Sequence, residues 1–301
     1  MKSNNFICST ESLIRQEPTE GTLGEYDGAW FIEGHKPFPR LALASVAPAL
    51  ARTNLGWWDE YQRTGRGPHP RILPIRQSTK SARTGHQNLL LVPVPDQNTC
   101  RQFEFSSSSI EELEPEFLLE LTAKPASFAH LETETVRAIV CTHGKVDPCC
   151  AKSGNALYRT LLKQQAIEVW QGAHFGGCRF AGNIWFLPSG NCYGHVAPEN
   201  VHELVKAEQQ QQVFHTGFRG RLGQSTIGSV AEYRARQHYD LWEFEALHVQ
   251  LDRIERNLWL VKVSLGDQQY NHHLSRSFSL ETHYLTCESE EPSNTSTYEF
   301  Q

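Results

Sequence analysis

The sequence predicts a mixed α/β protein, α+β in overall class, with a compact α/β unit in its middle third and an antiparallel meander behind it. Three observations predict this. Short apolar runs bounded by turn residues alternate with helical periodicity between residues 136 and 212. Three alternating apolar–polar runs follow from Leu241 onward. The chain is 301 residues long with 39% hydrophobic and 21% charged residues, enough apolar content for a packed core and a soft expectation of two domains.

The first stretch, residues 1–128, reads as an N-terminal α/β region. Its opening, MKSNNFICSTESLIRQ, has no continuous apolar core and no small-residue cleavage site, so it does not read as a secretory signal. Trp30–Ile32 and Leu89–Val94 have the composition of strands, and Leu41–Arg52 reads as a short helix ended by Asn54 and Gly56. Gly56–Pro70, rich in Gly, Pro and Arg, reads as a loop. Ser106–Leu121 opens with serines and continues as an acidic, apolar-periodic run, which predicts a serine-capped helix.

The second stretch, residues 129–235, is more sharply punctuated. Val136–Val140 predicts a buried strand running straight into Cys141, and Asn155–Gln165 predicts a helix. Ala166–Trp170 predicts the next strand, followed by a loop at Gly172–Gly177. Ala181–Leu187 and Cys192–Val196 form a hairpin around Pro188–Asn191, and Pro198 opens a helix to about Gln212. The order strand, helix, strand, strand, strand, helix describes a unit of thioredoxin size. In the third stretch, residues 236–290, Leu241–Leu251, Leu258–Leu265 and Phe278–Leu285 predict a meander with a turn at Gly266–Asp267. Residues 291–301 are polar and predict a flexible tail. No internal repeat is visible.

Charge and hydropathy exclude several functions. Twenty-eight Lys and Arg against 34 Asp and Glu give a net charge of −6, which argues against a dedicated nucleic-acid binder. No run of 18 apolar residues occurs, so no membrane span is expected. These features point to a cytoplasmic protein, where structural disulfides are uncommon and clustered cysteines are metal ligands or redox thiols.

The eight cysteines are unevenly spread, five of them lying between Cys141 and Cys192. Two segments hold the informative residues: Cys141-Thr-His-Gly-Lys-Val-Asp-Pro-Cys149-Cys150, and His174-Phe-Gly-Gly-Cys178 leading into Arg179-Phe-Ala-Gly-Asn183. Both leave the end of an expected strand, where open α/β sheets place ligands. Such a set of thiolates and imidazole can hold Zn²⁺ or a [2Fe–2S] cluster. No C-x-x-C occurs, which weakens both a zinc knuckle and a dithiol oxidoreductase.

The C-x8-C segment beginning Cys-Thr-His-Gly, the H-x-G-G element and Arg-Phe-Ala-Gly-Asn resemble the sucrase/ferredoxin-like family. Cys8-Ser9, Gly21-Thr22, Trp30–Glu33 and Phe218-Arg219-Gly220-Arg221 extend the resemblance over most of residues 6–235. The resemblance implies a thioredoxin-like ferredoxin domain with a [2Fe–2S] cluster, no dithiol active site, and electron transfer to a redox partner protein. Carried over by position, Cys141 and Cys150 match the C-x8-C pair and His174 the first histidine of H-x-G-G-H. Cys178 stands where fungal members have a histidine, giving three cysteines and one histidine, with Cys149 as reserve ligand. One histidine should set the potential above a four-cysteine ferredoxin and make it pH-dependent.

The remaining candidates have plainer readings. His143 reads as a hydrogen-bonding neighbour of the ligands, and Lys145 and Asp147 as charge tuners or simple loop polarity. Cys192, Cys8, Cys100 and Cys287 read as structural, and Arg219 and Arg221 as a solvated face, or else as contacts to an anionic partner or the domain interface. No pair of carboxylates marks a glycosidase. A zinc-stabilised binding module and a thiol–disulfide redox protein are the rival functions.

Overall fold

The computed structural model describes residues 6–34, 37–77, 85–109 and 113–301. Among the described residues two sheets are present, a mixed one of nine strands and an antiparallel one of four. The large sheet is built from two units of the same topology.

In the first unit, β1 (Ala29–Glu33) and β2 (Arg71–Arg76) pair in parallel across a helical crossover. Strands β3 (His86–Pro93) and β4 (Cys100–Ser107) then add antiparallel beyond β1. In the second, β5 (Arg137–Cys141) and β6 (Glu168–Gly172) are the parallel pair, and β7 (Ile184–Leu187) and β8 (Asn191–Tyr193) add antiparallel beyond β5. The β6-β5-β7-β8 order is the thioredoxin-like arrangement expected of this region. Antiparallel pairing of β2 with β6 fuses the units, so the strands of residues 1–128 and 129–235 share one sheet. Strand β9 (Phe218–Arg221) closes the far edge beside β8.

Helices cover one face of each unit. Leu50 of α3 (Pro48–Thr64) and Leu118 and Leu121 of α4 (Pro115–Ala123) pack on Trp30, Ile32 and Leu90. Leu157 and Leu161 of α5 (Pro148–Leu161) and Leu204 of α6 (Val201–Gln209) pack on Ala138, Val140 and Phe186. The other faces share a core. Phe31 of β1 meets Trp185 of β7 edge to face at 5.7 Å. Four strand spacings of about 4.8 Å separate those strands along the sheet. Contact across that span requires the sheet to curl on itself.

Several sequence expectations need correction. The helix expected over Leu41–Arg52 is two, α2 (Ala42–Val46) and α3, broken at Ala47, whose backbone leaves the helical region (φ −135°, ψ 78°) before Pro48. Proline crowds the helical conformation of the residue before it. Helix α3 then runs through Asn54 and Gly56 to Thr64, so the connection begins only at Gly65. A single exposed glycine costs a helix only about 1 kcal/mol, too little to end one this long.

Ser106 and Ser107 end β4 instead of capping a helix, because the β3 ladder extends that far; α4 starts at Pro115. Part of that expected helix, residues 110–112, lies outside the described residues. Helix α5 starts at Pro148, seven residues before Asn155, since the Asp147 carboxylate accepts from Cys149 N at 2.9 Å and caps it.

Helix α7 (Thr226–Tyr239) packs Val230, Ala231 and Ala235 on the second sheet. That sheet is the expected meander, with strands β10 (His248–Glu255), β11 (Leu258–Leu265) and β12 (Gln268–Phe278). Its third strand ends where Phe278–Leu285 was expected to begin one. The expected flexible tail holds β13 (Ser296–Phe300), paired with β12 and burying part of Tyr298 and Phe300 against the meander. Alternating aromatic residues give even a short polar segment a face to bury.

Candidate metal centre

Two loops and the first turn of α5 meet at the carboxyl ends of β5 and β6. Cys141 is the last residue of β5, and only residues 142–147 separate it from α5. Gly154 lets α5 lie directly on the strand end. A Cβ there would stand 1.9 Å from the Cys141 carbonyl oxygen. Close approach brings the first turn over Cys141, and Cys150 Sγ lies 3.9 Å from His174 Nδ1. Donor atoms of Cys141, Cys150 and His174 all fall within 4.8 Å of one another. Cys178 joins them through His174, its Sγ being 3.7 Å from both ring nitrogens.

Arg219 fixes the histidine loop. It is buried and donates to Gly176 O at 3.2 Å, Asn183 Oδ1 at 2.8 Å and Thr22 O at 2.6 Å. Gly177 sits at φ +68°, where a Cβ would stand 2.4 Å from that guanidinium. Glycine is needed there both for the backbone and for the arginine. So Arg219 is neither a solvated face nor a partner contact: it is an internal tie between the N-terminal segment and the loop. His143 fills its expected supporting role. Its Nδ1 accepts from His174 N at 3.2 Å, which leaves Nε2 as the donor to Pro39 O at 2.8 Å.

The members of the group shift one another in opposite directions. A hydrogen bond from Cys150 brings the Cys141 thiol well below its usual range against the cost of burial, with help from His174. Cys178 is lowered by the same two partners, its bond to Cys150 first. Cys150, the donor to both, is raised. Burial works against a charged His174, but hydrogen bonds and attraction from Cys141 and Cys178 lift it to about 9. The three cysteines are buried and His174 only partly, and His174 borders a groove of about 370 Å³ that includes Leu41, Leu55 and Arg71.

Cys149 faces elsewhere. Successive helical residues point about 100° apart, and Cys149 Sγ lies 3.5 Å from Cys8 Sγ and 3.4 Å from Cys287 Sγ. Cys8 and Cys287 are 3.5 Å apart, and Asp147 Oδ2 is 3.7 Å from Cys8 Sγ. Sequence reasoning assigned Cys8 and Cys287 to structural roles, and no spacing signal links positions 8, 149 and 287. Asp147 is more than loop polarity, since it caps α5 and also accepts from Cys287 N at 3.1 Å. Cys100 and Cys192 are buried and belong to neither group, each with a raised thiol, burial being the main cause and Cys141 adding to it at Cys192.

The family model for sucrase/ferredoxin-like proteins matches residues 33–220, and this chain belongs to that family. Among solved structures, the chain is similar to a thioredoxin-like [2Fe–2S] ferredoxin from Aquifex aeolicus, at 18% identity and a TM-score of 0.23 over 26% of this chain and 83% of that one. A cysteine-to-serine variant of the same ferredoxin gives 18% identity and 0.23 over 25% and 87%. No curated protein matches the chain significantly. Among the described residues no helix is long and apolar enough to cross a membrane.

Proposed function

We propose that the chain is a one-electron carrier whose [2Fe–2S] cluster is held by Cys141, Cys150, His174 and Cys178. The observation that carries this reading is the convergence of three buried thiols and one imidazole from the two family motifs at the carboxyl ends of β5 and β6. The donor chemistry fits, because thiolates and imidazoles both ligate such clusters. When bound, the cluster supplies reversible one-electron chemistry. The protein's part is to present donors on a stiff frame, through Gly154 under α5 and Arg219 under the histidine loop, and to shield the thiolates from water.

His174 has two tasks. As a neutral ligand among thiolates it raises the potential relative to four cysteines, and its second ring nitrogen can hold or release a proton. It is also the most exposed of the four, so a redox partner protein would approach on its side, over the adjacent groove. His143 orients it through the backbone and does not ligate.

The test is anaerobic purification. Red-brown protein with about two iron and two sulfide per chain is expected, with an electron paramagnetic resonance signal on reduction. The midpoint potential should fall as pH rises between about 6 and 9, and His174→Cys should lower and flatten it. A midpoint flat in pH removes His174 from the ligand set. Colourless protein with zinc bound by Cys141 and Cys150 removes the cluster.

A further inference from the structure

We propose that Cys8, Asp147, Cys149 and Cys287 form a second metal site, which holds one Zn²⁺ and ties the N-terminal helix and the segment 279–295 to the first turn of α5. This proposal does not depend on what the first group binds.

The four donor atoms lie close enough together to share one ion. The three sulfur atoms form a nearly equilateral triangle with sides of 3.5, 3.4 and 3.5 Å. Tetrahedral zinc at about 2.3 Å from each sulfur would set them about 3.8 Å apart, so a small outward movement seats the ion. Asp147 Oδ2, 3.7 Å from Cys8 Sγ, stands on the same cluster and supplies the fourth donor. Its other oxygen is committed to Cys149 N, so the carboxylate is held in place by the helix it caps. Three thiolates and one carboxylate suit a borderline-soft ion with no geometric preference of its own, which favours zinc over calcium or magnesium.

The trio also argues against a disulfide. A disulfide would draw two sulfurs to about 2.05 Å and leave the third thiol beside it with no share in the bond. A metal uses all three. The chain path supports the same conclusion. Between β12 and β13, residues 279–295 leave the meander without forming a strand and return to it, an excursion of a length usually kept for function. Besides Cys287, the contacts of the excursion with the rest of the molecule include the exposed Arg40–Glu288 pair and an edge contact of Tyr284 with Phe6. Coordination at Cys287 gives it a firm anchor, and the same ion fastens α1 (Cys8–Ile14) through that helix's first residue.

The experiment is elemental analysis of the purified full-length protein with its cluster, alongside Cys287→Ser, Cys8→Ser and Cys141→Ser. One zinc per chain is expected in the wild type, falling to below about a tenth in Cys287→Ser and Cys8→Ser with iron and sulfide unchanged. Cys141→Ser should lose iron and keep zinc, which separates this site from the first. Should the serine variants fold poorly, native-state alkylation of the wild type decides: Cys8, Cys149 and Cys287 are protected until a chelator is added. Wild-type protein without zinc whose three thiols alkylate freely overturns the proposal, as does a disulfide between any two of them. Zinc lost with Cys141→Ser but kept in Cys287→Ser overturns both this site and the cluster reading.

Discussion

The two units of the large sheet share a topology and differ in chemistry. Each runs strand, helical crossover, parallel strand, two antiparallel strands and a helix led in by a proline, Pro115 in one and Pro198 in the other. In the first unit β1 ends at Glu33, whose carboxylate accepts from Gln87 N at 2.7 Å and serves the sheet itself. In the second β5 ends at Cys141, and the crossover is short enough to hold the start of α5 over the strand end. The longer crossover after β1 passes through α2 before α3 begins. Topology therefore offers a strand-end niche twice, and among the described residues only the unit with a short, capped and cysteine-bearing crossover gathers candidate donors there.

Several substitutions break or sharpen that contrast. The largest effect is expected at neighbouring positions of α5. Cys150→Ser should cut cluster iron at least about tenfold while Cys149→Ser leaves it intact; iron analysis checks both, and the reverse pattern would move the ligand to Cys149.

Next comes the second unit's far edge, which the first unit lacks. There Glu232 of α7 bridges Arg221 at 2.7 Å and Arg236 at 2.8 Å, all buried. Glu232→Gln should cost about 3–5 kcal/mol in urea unfolding at neutral pH. Burial alone would raise this carboxyl, but the two arginines hold it at about 2, below its ordinary 4.5. A depressed carboxylate stabilises the fold fully above its ordinary value and loses that contribution as pH falls toward 2. The acid limb of the stability–pH curve should therefore flatten between those values in Glu232→Gln.

Glycines in the two crossover helices should then respond with opposite sign. Gly154→Ala forces a methyl into the Cys141 carbonyl and should cost about 2–3 kcal/mol. Gly56→Ala in α3 meets nothing within 4 Å and should stabilise by about 0.5–1 kcal/mol. Equal responses in denaturant titrations would mean that α5 is not pressed on its strand. The smallest effect belongs to the exposed Arg40–Glu288 pair, where Glu288→Gln should leave the unfolding midpoint unchanged. A clear loss there would mean that the excursion 279–295 depends on its surface charge.

Much of the second unit was legible because its signals are local. The run into Cys141, the hairpin turn at Pro188–Asn191 and the proline-led α6 each announce themselves within about ten residues. Strands β2 and β4 were not foreseen. Arg71–Arg76 carries a proline and two arginines, and becomes a central strand only because β1 and β6 flank it. Helix α7 was missed for a related reason: three of its buried residues, Glu232, Arg236 and Ser229, are polar, and only their partners make them a core. The repeat of topology was invisible because packing direction repeats while residue identity does not.

By itself the sequence determined which thiols and imidazole are candidate donors, their spacing within residues 141–178 and the strand ends from which they leave, since those depend on neighbours in the chain. Tertiary structure decided what depends on distant ones. Gly154 proved to be a contact surface for Cys141, and Arg219 an internal tie of the histidine loop. Cys149 turned from reserve ligand into the meeting point of Cys8 and Cys287, from the two ends of the chain. Sequence spacing describes a site only where the chain closes it locally, and the second thiol group is closed by long-range packing alone.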